Sequence, residues 1–104
     1  MSGYELGSGN VFADLGLVEP EEELARAALA HSIVTIVEDR GLTPDQAAAI
    51  MRTDQQLVSA LAHGHLESFS LERLARYLVA LDQDVEIVVR PAHVGAHMYV
   101  RTAS

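Results

Sequence analysis

The sequence predicts a mainly α-helical fold of four to five helices, with an N-terminal arm before them and a C-terminal strand or hairpin after them. Three observations support this fold. Apolar residues recur at helical spacing in several stretches of the chain. Residues that favour helix starts and stops stand at the ends of those stretches. The stretch 42–64 contains two short helical patterns with room for only a three- or four-residue turn between them.

Length and composition restrict the protein to a few classes. The chain has 104 residues, of which 49% are hydrophobic, as expected for one globular domain. It has no cysteine, which excludes disulfides and cysteine-based zinc sites. No apolar run approaches the roughly 20 residues of a membrane span, and no signal peptide is visible. We therefore expect a cytoplasmic protein.

Local signals divide the chain into three parts. Residues 1–18 are Gly-rich and lack helical periodicity, so we assign them to the arm. Residues 19–83 form the helical domain. Its first helix begins near Pro20 and ends at Gly41, a residue that readily adopts the left-handed cap conformation. Ser70 caps the last helix. The predicted core contains Leu29, Ile33, Ile36, Ala48, Met51, Val58, Leu61, Leu74 and Leu78.

The centre of the chain carries the strongest functional signal. Thr43 can cap a helix, Pro44 suits the first helical position, and Gln46 completes a capping box. Asp54, or alternatively Thr53, can cap the next helix. Two short helices joined by so tight a turn form a helix-turn-helix, the unit that places its second helix in a DNA major groove.

The pattern of residues 84–104 predicts a strand or hairpin that serves as a dimerisation element. Val85, Ile87 and Val89 alternate with Glu86, Val88 and Arg90, the period of a strand. A second strand is predicted at 98–102. Because a lone hairpin is marginal in water, this segment needs the helices or a second subunit beside it. Pairing with the same strand of a second copy would give a two-fold dimer.

The charge is unevenly distributed. The formal net charge is −8, but residues 1–39 hold eight acids against one arginine, whereas residues 40–104 hold seven acids and six arginines. The acidity therefore belongs to the arm and the first helix. A basic surface, which most DNA-binding proteins have, is missing. All basic residues are arginines, and each arginine can bind phosphate or guanine through two parallel hydrogen bonds.

A set of short sequence blocks extends over roughly residues 9–91: 10–16 (NVFADLG), 41–43 (GLT), Ala47, Ala48, Gln55, 58–61 (VSAL), Gly64, 69–74 (FSLERL) and 84–91 (DVEIVVRP). Together these blocks show a resemblance to the XRE (lambda-repressor-like) helix-turn-helix family, and within it to the HigA-type antitoxin subgroup. It implies a helical DNA-binding core with a short C-terminal strand, usually dimeric. It also implies a protein that represses its own operon and, in many members, neutralises a RelE-like toxin ribonuclease.

The resemblance also implies a recognition helix from about Gln55 to Ala62. Gln55 and Gln56 would lie at its N-terminal end, where glutamine can bond adenine through both polar atoms. Ser59 would follow one turn later on the same face. The predicted DNA-binding residues are Thr43, Arg52, Gln55, Gln56, Ser59 and His63. Double-stranded operator DNA is the expected partner.

Three positions depart from the family pattern. Pro44 stands where the family often has glutamine, which removes one phosphate contact. Arg52 stands where the family often has the glycine of the turn, and it is assigned as an added phosphate contact. Leu57 stands where a polar or basic residue is common.

A second hypothesis treats the domain as a protein-interaction module that has a helix-turn-helix shape but no specific DNA binding. Its binding surface would consist of Glu21, Glu22 and Glu23 with Phe12 and Leu15 of the arm. Toxin ribonucleases are basic because they bind RNA, and complementary charge speeds such encounters. The simpler interpretation of the three glutamates is a solvated helix start.

We expect neither a metal nor a cofactor, and no enzymatic activity. His63, His65 and Glu67 are separated by a helix end and a glycine, whereas a zinc site needs three or four converging ligands. The sequence contains no nucleophile motif and no phosphate-binding glycine loop.

Overall fold

The computed structural model describes residues 19–92, 95 and 97–102, and these residues contain four helices. The helices are α1 (Glu19–Asp39), α2 (Pro44–Met51), α3 (Gln55–Ala62) and α4 (Leu71–Ala80). The mainly helical fold predicted from the sequence is confirmed, and α3 has the bounds predicted for the recognition helix. The N-terminal arm, residues 1–18, lies outside the described residues.

Side-chain caps fix the starts of the three shorter helices. The Thr43 hydroxyl accepts a hydrogen bond from the Gln46 backbone N–H at 3.1 Å, and the Gln46 side chain accepts one from the Thr43 N–H at 2.9 Å. Asp54 rather than Thr53 caps α3, through a 2.8 Å bond from the Leu57 N–H. Ser70 caps α4 in the same way. Each cap satisfies a backbone donor that has no partner inside its helix.

All four helices end in the same kind of reversal. A backbone N–H just beyond each helix bonds to a carbonyl five residues earlier: Leu42 to Val37, Thr53 to Ala48, His65 to Ala60 and Gln83 to Leu78, at 2.9–3.0 Å. This is the hydrogen bond of a Schellman motif, which requires a left-handed residue at the reversal. That residue is Gly41, Arg52, Gly64 or Asp82, with φ between 60° and 76°.

The helices pack around one apolar core. Helix α4 packs against α1 and α2, and α3 packs against α2 and α1. Seven of the nine predicted core residues are buried, and Leu29 and Ile36 are half-buried against the same cluster. The prediction omitted Phe69 and Tyr77, which are also buried and meet edge to face, with ring centroids 6.2 Å apart.

Two polar contacts join segments that are distant in sequence. The Tyr77 hydroxyl on α4 donates to the Thr53 hydroxyl oxygen in the turn between α2 and α3, at 3.1 Å. The Arg40 guanidinium, just after α1, donates to the Leu81 carbonyl just after α4, at 2.6 Å. The first contact fixes the helix-turn-helix to α4, and the second fixes the end of α1 beside the end of α4.

The predicted C-terminal strand and hairpin are wrong for the isolated chain. Among the described residues, 84–92 and 97–102 form no strand. Arg90 and Tyr99 nevertheless contact each other, since the Arg90 guanidinium donates to the Tyr99 hydroxyl at 2.6 Å. Strand periodicity is not sufficient here, since a strand also needs a hydrogen-bonding neighbour, and a two-stranded hairpin gains little stability alone.

None of the helices in the described part of the chain is long and apolar enough to cross a membrane.

We expect a double-mutant cycle between Tyr77→Phe and Thr53→Ala to show coupling. Removing either hydroxyl should lower the free energy of unfolding by about 1 kcal/mol, and the double variant should lose about 1 kcal/mol less than the sum of the single losses. The free energy of unfolding of all four proteins is measured by urea denaturation, monitored by circular dichroism. Strictly additive losses would show that the two hydroxyls do not interact.

Candidate nucleic-acid interface

Helix α3 has one polar, exposed face and one apolar, buried face. Gln55, Gln56, Ser59 and His63 are all exposed, whereas Val58 and Leu61 are buried in the core. Positions 55, 59 and 63 are four residues apart and therefore lie along one side of the helix. The structure thus brings together four of the six residues predicted from the sequence to bind DNA, on one surface that is open to solvent.

Leu57 does not belong to this surface. Its side chain is half-buried and packs against the core, together with Ala60. The departure from the family pattern at this position therefore replaces a polar surface residue with an additional core contact. The sequence offered a signal for this role, because position 57 is four residues before the buried Leu61 and so lies on the same side of the helix.

Thr43 lies at the start of α2, and the capping box limits what it can offer to DNA. Its backbone N–H is already bonded to the Gln46 side chain, so that donor is not available to a phosphate. Its hydroxyl accepts from the Gln46 N–H. The hydroxyl hydrogen can still be donated, since a threonine hydroxyl is donor and acceptor at once. The hydroxyl of Thr43, and not its backbone N–H, therefore remains able to bind a phosphate.

Arg52 lies in the turn between α2 and α3 with φ 60° and ψ 47°, the left-handed conformation. Side chains other than glycine adopt this conformation at a cost of roughly 1–2 kcal/mol. The residue is exposed. The sequence-based assignment of Arg52 to the turn position where the family often has glycine agrees with this geometry.

His63 follows α3, and its ring nitrogen Nδ1 lies 2.8 Å from the Ser59 carbonyl oxygen. Because a carbonyl oxygen can only accept, Nδ1 carries the hydrogen of this bond. In the neutral ring, the other nitrogen Nε2 then presents a lone pair, which repels a phosphate. Only the doubly protonated ring could donate to the DNA backbone.

Asp54 places a carboxylate at the N-terminal end of α3, beside Gln55 and Gln56. The carboxylate stabilises the helix through the cap and the helix dipole. It also opposes the approach of phosphates to the end of the helix that would enter the groove. Any contact between α3 and DNA must therefore rely on hydrogen bonds more than on net positive charge.

The residues predicted to bind a basic protein partner are only partly described. Glu22 forms an ion pair with Arg26 at 3.0 Å, so its charge is partly neutralised. Glu23 is exposed and Glu21 is half-buried. Phe12 and Leu15 lie outside the described residues. No group of three or more potential metal ligands occurs in the described part of the chain.

Comparison with known proteins identifies the family. A protein-family profile described as "Helix-turn-helix domain" matches residues 11–90. A solved structure, "Putative XRE Family Transcriptional Regulator", superposes with a TM-score of 0.75 and 36% sequence identity, over 84% of this chain and 99% of that chain. The chain belongs to the XRE helix-turn-helix family. The search of curated proteins found no match.

As an XRE-family chain, the protein has its helix-turn-helix in α2 and α3, with Arg52, Thr53 and Asp54 forming the turn. The family match extends from the arm to Arg90 and so includes the predicted strand segment. Sequence reasoning missed the Tyr77–Thr53 contact, because the two residues are 24 positions apart.

We expect Arg52→Gly to raise the free energy of unfolding by about 1 kcal/mol, because glycine adopts the left-handed conformation without strain. Arg52→Ala is the control, since alanine also lacks the charge but keeps the strain. Thermal denaturation of the three proteins measures the difference. Equal stability of the glycine and alanine variants would show that the backbone at this position is not strained.

Proposed function

We propose that the protein is a DNA-binding transcriptional regulator that inserts the N-terminal half of α3 into the major groove. The observation that carries the proposal is the exposed face of α3, with two adjacent glutamines at its start, in a chain of the XRE family. The N-terminal cap of α3 and its buried opposite face also support the proposal, because a recognition helix must hold its side chains in a fixed orientation. No catalytic role is part of the proposal.

The chemistry of these side chains suits direct recognition of bases. A glutamine amide has one acceptor and one donor group and can bond both N7 and N6 of adenine. Gln55 and Gln56 are both exposed and adjacent to the start of α3. Ser59 lies one turn further and can donate to or accept from a base or phosphate. The Thr43 hydroxyl and the Arg52 guanidinium would contact phosphates of the DNA backbone.

We further propose that the regulator acts as a dimer through residues 84–90. This segment carries exposed apolar side chains, with exposed fractions of 58% for Ile87 and 85% for Val89. In the described residues it pairs with no other strand. Pairing with the same segment of a second copy would bury these side chains and satisfy backbone groups. Two recognition helices about 34 Å apart would then read a palindromic operator.

The finer proposal is an autorepressor that is the antitoxin of a toxin–antitoxin pair, with a RelE-like toxin as its partner. It is supported by the sequence blocks of the HigA-type subgroup and by the acidity of residues 1–39. A basic toxin bound there would lower the net negative charge of the complex and favour its approach to DNA.

The second candidate function is a protein-interaction module that binds a basic partner without specific DNA binding. The observation that favours it is the charge distribution. Residues 1–39 contain eight acidic residues and a single arginine, Arg26, which already forms an ion pair with Glu22. The two functions make opposite predictions for the α3 surface.

We expect Gln55→Ala and Gln56→Ala each to weaken binding to the protein's own promoter by about 1–3 kcal/mol, because each removes a two-point contact with a base. Binding to a scrambled sequence should change little. Fluorescence anisotropy with both DNAs measures the two affinities.

Gln83→Ala is the matched control, because Gln83 lies after α4, where its side chain donates to the Leu81 carbonyl. It should leave promoter affinity unchanged. If the α3 variants bind promoter and scrambled DNA as the unchanged protein does, α3 does not read bases and the second candidate function gains support.

We expect Ile87→Lys to shift the protein from dimer to monomer, because the substitution places a charge in the paired segment. Val79→Lys is a close control: Val79 on α4 has the same 58% exposure as Ile87 but lies outside the segment. Sedimentation equilibrium at several protein concentrations measures both. If the unchanged protein is monomeric, the proposed dimer is excluded. If the two variants dimerise equally, the dimer interface lies outside residues 84–90.

A further inference from the structure

Arg73 on α4 is held over the faces of two aromatic rings. Its guanidinium carbon lies 5.6 Å from the centroid of the Phe69 ring and 5.8 Å from that of the Tyr77 ring. Both rings are buried, whereas Arg73 itself is exposed. A guanidinium on ring faces is attracted by the ring electrons and keeps its outward N–H groups free to donate. Arg73 is thus an oriented cation at the surface.

The charge of Arg73 is not neutralised by a carboxylate in the described part of the chain. The two ion pairs found there belong to Arg26 with Glu22 and to Arg76 with Glu72. The Arg40 guanidinium is bonded to a backbone carbonyl at the other end of α4.

Two contacts connect Arg73 to the helix-turn-helix. Its guanidinium lies over the Tyr77 ring, and the Tyr77 hydroxyl bonds to Thr53 in the turn between α2 and α3. Thr53 stands between Arg52 and Asp54, the residue that caps α3. Arg73 is therefore linked, through the Tyr77 ring, to the turn that leads into α3 and that also carries the exposed Arg52.

We propose that Arg73 binds a phosphate of the DNA backbone beside the start of α3. The inference rests on the proposed function, since it needs α3 in the major groove. The arginine would compensate locally for the Asp54 carboxylate, and its orientation by two rings lowers the entropy lost on binding. Phosphate contacts of this kind fix the register of a protein on the duplex without reading sequence.

The test compares Arg73→Gln with Arg76→Gln in binding to promoter and scrambled DNA at several salt concentrations. Both variants lose one charge on the same helix, but Arg76 is paired with Glu72 and does not stack on the rings. We expect Arg73→Gln to weaken binding to both DNAs by a similar factor. Between 50 and 200 mM salt, the loss of affinity should be about 3.5-fold smaller than for the unchanged protein if one phosphate contact is removed, and about 12-fold smaller for the proposed dimer, which loses two.

Arg76→Gln should keep the salt dependence of the unchanged protein, and so should Arg73→Lys, which retains the charge. Thermal denaturation checks folding. If Arg73→Gln is unstable, Arg73→Met replaces it, because methionine also packs on aromatic rings but has no charge.

Equal salt dependence of the unchanged protein and the Arg73→Gln or Arg73→Met variant overturns the proposal while leaving the proposed function intact. Failure of the unchanged protein to bind either DNA overturns both. A loss confined to promoter DNA would also contradict the proposal, because it would mean that Arg73 contacts a base.

Discussion

The candidate DNA-binding surface depends on two helices that are too short to be stable alone. Helices α2 and α3 have eight residues each, and isolated helices of this length do not persist in water. Their side chains Met51, Val58 and Leu61 are buried against α1 and α4, and side-chain caps satisfy their first backbone donors. The orientation of α3 within the domain is thus a property of the core. Helix α4 contributes through Tyr77, which packs in that core and bonds to the turn.

Electrostatics limit how such a surface can bind DNA. The part of the chain from residue 40 onward is nearly neutral, and a carboxylate caps the recognition helix. Non-specific attraction to phosphates must therefore be weak, and the proposed DNA binding would rely on base contacts, on a few oriented arginines and on the proposed dimer. Arg52 lies in the turn before α3, and Arg73 contacts the ring of Tyr77, whose hydroxyl bonds to this turn; both arginines are exposed.

The repeated helix ends explain how four helices fit into one short domain. Each helix stops at a left-handed residue, and the next N–H bonds back across the last turn, so the chain changes direction within two or three residues. Glycine serves this role after α1 and α3, whereas Arg52 and Asp82 serve it after α2 and α4. The backbone of Arg52 is thus strained, at a surface position in the turn before α3. This is the pattern expected where a charged side chain is useful and a glycine would be more stable.

The sequence by itself determined the helices, their caps and the polar face of α3, because these depend on contacts between residues at most five positions apart, such as those of Thr43 with Gln46 and of Asp54 with Leu57. It did not reveal the core position of Tyr77, the contact of Tyr77 with Thr53, or the stacking of Arg73. It also predicted a strand at 84–90 that the isolated chain does not form. These features were decided only by the tertiary structure, because a long-range contact or a paired strand requires a partner that local periodicity cannot specify.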